Sequence, residues 1–213
     1  MPNPKAESAN ALESGERAYL REPTPADRDE LIARNRASRI LHRGWVTPPT
    51  DAAGFRRWMV RCRLPTVRCF LVCRKQDDAI VGVFTLSQIV RGFFHSAYLG
   101  YYAFEPFAKQ GYMREGMELT LRHAFTALKL HRVEANIQPE NAASIALAKR
   151  CGFRLEGYSP RYLKVAGRWR DHQRWAILID DWRRLRRQPR ATSARPARRS
   201  PPASGSRGKR RSG

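Results

Sequence analysis

Long apolar runs are missing from this 213-residue chain. None approaches the roughly 20 residues that a bilayer-spanning helix needs, so no membrane contact is expected. The first twenty residues, MPNPKAESANALESGERAYL, hold no apolar block of the kind a secretory signal carries. A cytoplasmic protein is the resulting expectation. Cysteine is also scarce. Cys62, Cys69, Cys73 and Cys151 form no Cys-x-x-Cys pair, which removes the common zinc motifs. Free buried thiols and no metal are the expectation.

Acidic residues are the second shortage: 19 Asp/Glu stand against 41 Lys/Arg, a formal charge of +22. The imbalance is uneven. Residues 183–213 carry twelve Lys/Arg and no acid, leaving 29 basic against 19 acidic residues in 1–182. The same tail has no large apolar residue after Leu185 and is rich in Pro, Ser, Gly and Arg. It cannot bury enough surface to offset its ordering entropy, so disorder is expected from about residue 187 onward. Such a tail binds polyanions such as rRNA by counterion release; a purely solubilising extension is the competing reading. The chain therefore divides into a disordered N-terminus at 1–15, one folded domain at 16–182, and a basic tail at 183–213.

What is present is a patterned α/β chain. Arg17–Glu22 reads as a first strand, and Thr24-Pro25-x-Asp27 as a helix start with a cap, a first-turn proline and an acid. A second helix starts at Thr50-Asp51, after a stiff Trp45–Pro49 loop. Strands follow at 68–73, 80–89 and 96–104. Met113, Met117, Leu121, Ala124, Phe125 and Leu128 then recur at helical spacing. A strand at 132–137 leads to a helix at 142–150, with Asn141 as its N-cap and Gly152 as its stop. Two final strands, 154–164 and 169–178, flank an Ala166-Gly167 turn. The order is β–α–α–β–β–β–α–β–α–β–β: seven strands and four helices.

Two places could carry chemistry. The loop Lys109–Met113 contains Gly111 and opens a helix, where free amides and the helix dipole favour an anion. By itself this is a common arrangement. The second is Asn141 to Phe153, where Asn141 and Ser144 lie three apart at a helix start. Asn141 alone is fully explained as a cap.

Together the pieces say more. Gly100-Tyr101, Gly111-x-Met113-x-Glu115, Arg132-Val133, Asn141-x-x-Ser144 and Gly152-Phe153-x-x-Glu156-Gly157 resemble the GNAT superfamily of N-acetyltransferases. Gly157-Tyr158, Tyr162-Leu163 and Gly167-x-Trp169-Arg170-Asp171-His172 are similar to its ribosomal-protein N-terminal acetyltransferases of RimJ/RimL type. The likeness spans about residues 17–182.

The resemblance implies an α/β (α+β) GNAT fold: a central mixed, mostly antiparallel, splayed sheet of about seven strands with about four helices. It implies acetyl-CoA as co-substrate, its pantetheine arm lying as a pseudo-strand between 97–104 and 132–137. The pyrophosphate would rest on the amides of Lys109, Gln110, Gly111, Tyr112 and Met113, and Asn141 would touch the pantetheine. Ser144 matches a serine assigned to protonate the leaving thiolate. The chain also departs from the family: Ala108 opens the loop where Gln or Arg is common, Lys109 replaces a usual glycine, and Ala148 replaces a frequent catalytic tyrosine. Ser144 is therefore the leading acid, with Tyr158 as an outsider.

Acetyl transfer needs a neutral amine, an amide for the oxyanion and a proton donor for sulfur. Ala103 and Phe104 are the expected oxyanion amides. Glu134 and Glu105 are the acids nearest the expected site and equal candidates for the base; His131 and His172 are similar outsiders. Trp45, Tyr101, Tyr162 and Trp169 are candidate walls of the acceptor pocket. Cys151, before a helix stop with no His–acid pair, is not expected to be a nucleophile. The expected acceptor is a protein N-terminus, such as that of a ribosomal protein. Its α-amine ionises near 7.7–8.0, against about 10.4 for lysine, and so needs less help from a base. A small amine or antibiotic is the second reading. A non-catalytic RNA- or ribosome-binding protein is the third. Monomer and homodimer both remain open.

Overall fold

The computed structural model describes residues 10–187. Its centre is an eight-stranded sheet: β1 (Glu13–Ser14), β2 (Ala18–Arg21), β3 (Arg68–Arg74), β4 (Ile80–Val90), β5 (Ser96–Ala103), β6 (Arg132–Ile137), β7 (Arg154–Val165) and β8 (Arg168–Leu178). Their spatial order is β1-β2-β3-β4-β5-β6-β8-β7. Every neighbouring pair is antiparallel except β5 and β6.

The helices are α1 (Arg28–Ala37), α2 (Arg39–His42), α3 (Ala52–Cys62), α4 (Tyr112–Thr126), α5 (Ala142–Arg150) and α6 (Ile179–Arg187), with a 3-10 turn at Pro25–Asp27 before α1. Alternation along the strands assigns them to faces. Phe84 and Tyr101, paired across β4 and β5, point toward α4 and α5. Tyr102 points the other way, where the His42 ring of α2 meets it at 5.2 Å. The core is therefore two layers of side chains, one on each side of the sheet, and Phe70, Phe84, Phe104, Leu71 and Met117 are fully enclosed.

Local chemistry explains most boundaries. Asp51 caps α3 by accepting from the Gly54 amide at 2.6 Å, and Asn141 caps α5 by accepting from Ser144 N–H at 3.1 Å. Thr24 and Asp27 form a capping box, and Arg21 grips both Asp27 oxygens at 2.9 and 2.6 Å. Burial would raise the Asp27 pKa, but the Arg21 and Thr24 hydrogen bonds outweigh it and hold the carboxyl below its usual range. Ala166 and Gly167 both adopt positive φ, +47° and +80°, and turn β7 into β8.

Four sequence readings change. Residues 1–15 were expected to be disordered, yet Glu13–Ser14 pairs with Tyr19 and Leu20. The Gly15 turn and the Glu13–Arg122 ion pair hold that edge; residues 1–9 lie outside the described part. The folded region also continues past 182. Trp182 packs on Phe125 at 5.4 Å and Leu185 lies against Gly152, so one apolar stripe docks the arginine-rich α6; residues 188–213 lie outside the described part. The α2 turn adds a further helix. Cys62 and Cys69, read as free thiols, form a disulfide between the end of α3 and the start of β3, their Cα atoms 5.4 Å apart. Seven residues of sequence gave no sign that the intervening turn folds back. Cys73 and Cys151 are free and buried.

Gly116 fixes how closely α4 approaches the sheet. A Cβ there would lie 2.6 Å from Val72 Cγ2 and 2.9 Å from Phe84 Cε2. Gly→Ala inside a helix ordinarily gains about 0.5–1 kcal/mol. Here overpacking should dominate, and Gly116→Ala should cost about 1–3 kcal/mol in chemical denaturation. A variant at least as stable as the parent would show that α4 has room to shift.

Candidate active site

The site begins where two strands part. Parallel β5 and β6 pair only at Ser96↔Arg132, Ala97↔Val133 and Tyr98↔Glu134. Beyond these, β5 stays on β4 as far as Ala103, and β6 stays on β8 as far as Ile137. A wedge opens between 99–103 and 135–137. Phe104 N–H donates to Val81 O at 3.1 Å. Antiparallel alternation then turns the backbone groups of 98, 100 and 102 toward β4, and those of 99, 101 and 103 into the wedge. Phe104 is thus no free oxyanion donor: its amide is engaged and its side chain enclosed. Ala103 and Tyr101 supply the exposed edge instead.

His42 closes one side of that edge. Its Nε2 lies 2.8 Å from Ala103 O, while its buried Nδ1 has no partner. Burial lowers its pKa, against the opposing pull of the carbonyl, so the ring is neutral at neutral pH. Nε2–H is then the donor to the carbonyl.

At the wide end lies the predicted anion loop. Lys109 adopts φ +64° and Gly111 φ +90°. Lysine therefore takes the left-handed conformation that a glycine would adopt freely, at about 1–2 kcal/mol. The side chains of Tyr112 and Met113 are structural: Tyr112 packs edge-on to Phe107, and Met113 Sδ lies over Gly82. Their amides, in the first turn of α4, have no intrahelical acceptor. The Gln110 side chain is tied to Pro106 O at 2.7 Å.

Three guanidinium groups that sequence reading missed surround this loop. Arg17 donates to Gln110 O at 2.9 Å and stacks on Tyr112 at 4.7 Å. Arg34 and Arg74 each lie 4.8 Å from the Phe107 ring and are paired with Glu30 and Asp77. They come from α1, β3 and the start of β2, and no local pattern relates them to the loop.

At the α5 start, Asn141 serves as the cap. Ser144 Oγ meets the Tyr101 hydroxyl at 2.6 Å. Burial pushes the Tyr101 pKa up to about 12. On the opposite face of the sheet, Glu134 is held by Arg132 Nε at 2.9 Å, and Arg132 also binds Glu156. Above Gly100 there is open space, since a Cβ built there meets nothing within 4 Å. Nearby on β6, the buried Asn136 Oδ1 has no partner. Tyr98 hydrogen-bonds Tyr162, which raises its pKa to about 12.

Other candidates lie elsewhere. Tyr158, on β7 two strands beyond β6, donates to Asp171 of β8 and is not brought to Ser144. Trp169 is exposed near the β7–β8 turn. Glu105 is exposed on the loop after β5, where its amide meets Ser38 Oγ at 3.0 Å. His131 is exposed, and His172 is buried against Tyr162. Burial raises the Cys151 thiol to about 12, leaving it unreactive.

Residues 17–154 match the acetyltransferase (GNAT) domain family. The chain belongs to that family. It is 40% identical over 106 residues to the [ribosomal protein uS5]-alanine N-acetyltransferase of Escherichia coli, covering 50% of this chain and 55% of that enzyme. It spans between half and two thirds of the length of the curated relatives that head the comparison. Among solved structures, Mycobacterium smegmatis RimJ in complex with CoA-disulfide is 30% identical, with a TM-score of 0.68 over 79% of this chain and 87% of that one. Vibrio cholerae spermidine N-acetyltransferase, in complex with CoA and spermine, has a TM-score of 0.68 at 21% identity, covering 79% of this chain and 99% of that one. That last likeness is one of fold.

Asn141 separates structural from binding effects. Asn141→Asp keeps a capping oxygen and should unfold near the parental midpoint, whereas Asn141→Ala should lose about 1 kcal/mol. Equal stability of the two variants in denaturant titration would show that the cap contributes nothing.

Proposed function

We propose that this protein is an acetyl-CoA-dependent N-acetyltransferase whose acceptor is the α-amine of a protein N-terminus, such as that of a ribosomal protein. The β5–β6 wedge carries the reading. It offers an unpaired strand edge at Leu99–Ala103, ending at an anion-favouring helix start with Arg17 beside it. A thioester on a long amide-bearing arm with a pyrophosphate matches both ends. The arm would bond to the Ala103 and Tyr101 edge, and the pyrophosphate would meet the Gly111, Tyr112 and Met113 amides with Arg17 beside them. Acetyl-CoA supplies the activated acyl group.

The chain's own groups then have defined tasks. The edge amide of Tyr101 or Ala103 faces the thioester carbonyl and stabilises the oxyanion. Glu134 and Asn136 face the amine from the acceptor side, Glu134 as the base directly or through water. Ser144 faces the sulfur. Tyr98, Tyr162 and the open surface at Gly100 shape the way in.

The E. coli relative, named for acetylating a ribosomal-protein alanine, favours a protein acceptor. A polyamine acceptor fits less well, because Arg132 pairs with Glu134 and Glu156 and Arg174 also stands by Glu156, so two guanidinium groups balance the two carboxylates. The basic tail suits an acceptor embedded in RNA, and cytoplasmic action agrees with such a substrate.

Mass spectrometry of ribosomal proteins from cells with and without this chain should reveal an N-terminus whose acetylation depends on it. Unchanged N-termini would remove the ribosomal acceptor. Failure of acetyl-CoA to raise the melting temperature of the purified protein would remove the enzymatic reading. Arg17→Ala should raise KM for acetyl-CoA roughly tenfold, the loss of one charged hydrogen bond. KM for acetyl-pantetheine, which has no pyrophosphate, should not move. Equal effects on both substrates would place Arg17 away from the anion.

A further inference from the structure

Tyr101 sits in the wedge with a hydroxyl that the expected mechanism leaves idle. Its ring stacks on Phe84, with centroids 5.4 Å apart and planes at 28°. That contact fixes the ring from the sheet side. Its oxygen is 2.6 Å from Ser144 Oγ and 3.3 Å from Ser144 O. Tyr101 belongs to the part of β5 that β6 does not cover, so the pair lies beside the unpaired strand edge. At Ala148, where a tyrosine is frequent in the family, the chain has only a buried methyl group.

We infer that Tyr101 is a positioning residue for Ser144, donating its hydroxyl hydrogen to Ser144 Oγ so that the serine hydrogen points into the wedge toward the leaving sulfur. This inference rests on the acetyl-transfer reading above. A phenol is a far stronger acid than an aliphatic alcohol, so Tyr101 takes the donor role in the pair. Burial keeps it protonated throughout the working pH range. Ser144 Oγ then has one lone pair engaged and one hydrogen to offer. A pair of linked hydroxyls also polarises its outer O–H more than a lone serine does.

The step balances without ionising either hydroxyl. The amine nitrogen forms a bond to the thioester carbonyl carbon and loses one proton to a base or to water. The carbon–sulfur bond breaks, and its electron pair stays on sulfur. The thiolate accepts the Ser144 hydrogen bond and is protonated from solvent as it leaves. Tyr101 acts only through Ser144 and touches no reacting atom.

Tyr101→Phe removes the hydroxyl and keeps the stacked ring. It should lower kcat roughly tenfold to a hundredfold, the range for one hydrogen bond to a charged group. KM for acetyl-CoA should stay within about twofold, and calorimetric CoA affinity should be unchanged, since the edge and the anion loop are intact. Ser144→Ala should lose at least as much in kcat. The double variant should be no worse than Ser144→Ala, because Tyr101 has no route except through the serine. Independent losses that multiply would overturn the inference, as would parental kcat in Tyr101→Phe. A second readout needs no turnover: the thiolate absorbance of protein-bound CoA, followed against pH. The paired hydroxyls favour the thiolate, so the bound thiol should titrate at higher pH in Tyr101→Phe and in Ser144→Ala than in the parent. Coincident titrations would also overturn it. If Tyr101→Phe does not fold, Ser144→Thr against Ser144→Ala gives the same contrast, with the hydroxyl restoring the lower titration. Parental protein that binds CoA but acetylates nothing would strike the functional reading, leaving the thiol titration to judge the pair.

Discussion

Everything at this site depends on a parallel strand pairing that stops after three residues. Had β5 and β6 continued together, the edge at Leu99–Ala103 would be satisfied and no arm could add to it. They cannot continue, because each has a different partner: β4 draws β5 toward the loop at Phe104, and β8 holds β6 through Ile137. Sheet twist then drives the two apart. The wedge is an unfinished sheet, stable because its outer neighbours are complete.

The two ends of the wedge use different physics. Toward the narrow end, directional hydrogen bonds dominate: Arg132 on Glu134, and Tyr101 on Ser144. At the wide end, charge dominates, with a helix start and three arginines around an aromatic pair. On the proposed reading, separating them would let one long ligand be held by its anionic tail while its head is aligned by directional hydrogen bonds. It also explains why the family's loop pattern can be relaxed at Ala108 and Lys109. Arg17 stands beside the loop from outside it, and Lys109 accepts a left-handed backbone at modest cost.

The elements were more legible than the site. Strands β2 to β8 and helices α1, α3, α4 and α5 follow from periodicity, caps and turns, because those signals act within a few residues. The α6 helix escaped because its apolar stripe is only Trp182 and Leu185 within a run of arginines. The disulfide escaped because pairing depends on the path of a turn, not on spacing. Within the site, Gly111, Asn141 and Ser144 were legible from spacing joined to the family pattern. Arg17, Arg34 and Arg74 were not, since only the folded sheet brings them to the loop. Tyr101 was read as a wall, and its role rests on a contact 43 residues away in sequence. Phe104 was read as an amide donor because sequence does not reveal which strand neighbour its N–H faces.

The grip of Arg17 on Gln110 joins positions 93 residues apart, and Arg17 itself sits in the turn of the first described hairpin. The cradle therefore exists only when nearly the whole domain is assembled; a chain with its first strand detached has lost one of its walls. Any ligand held there binds the folded state and not the open ones. Its concentration then adds RT ln(1 + [L]/Kd) to the folding free energy. In a cell, the supply of such a ligand would lengthen the time each molecule survives unfolding and proteolysis, coupling the abundance of the protein to that of its ligand.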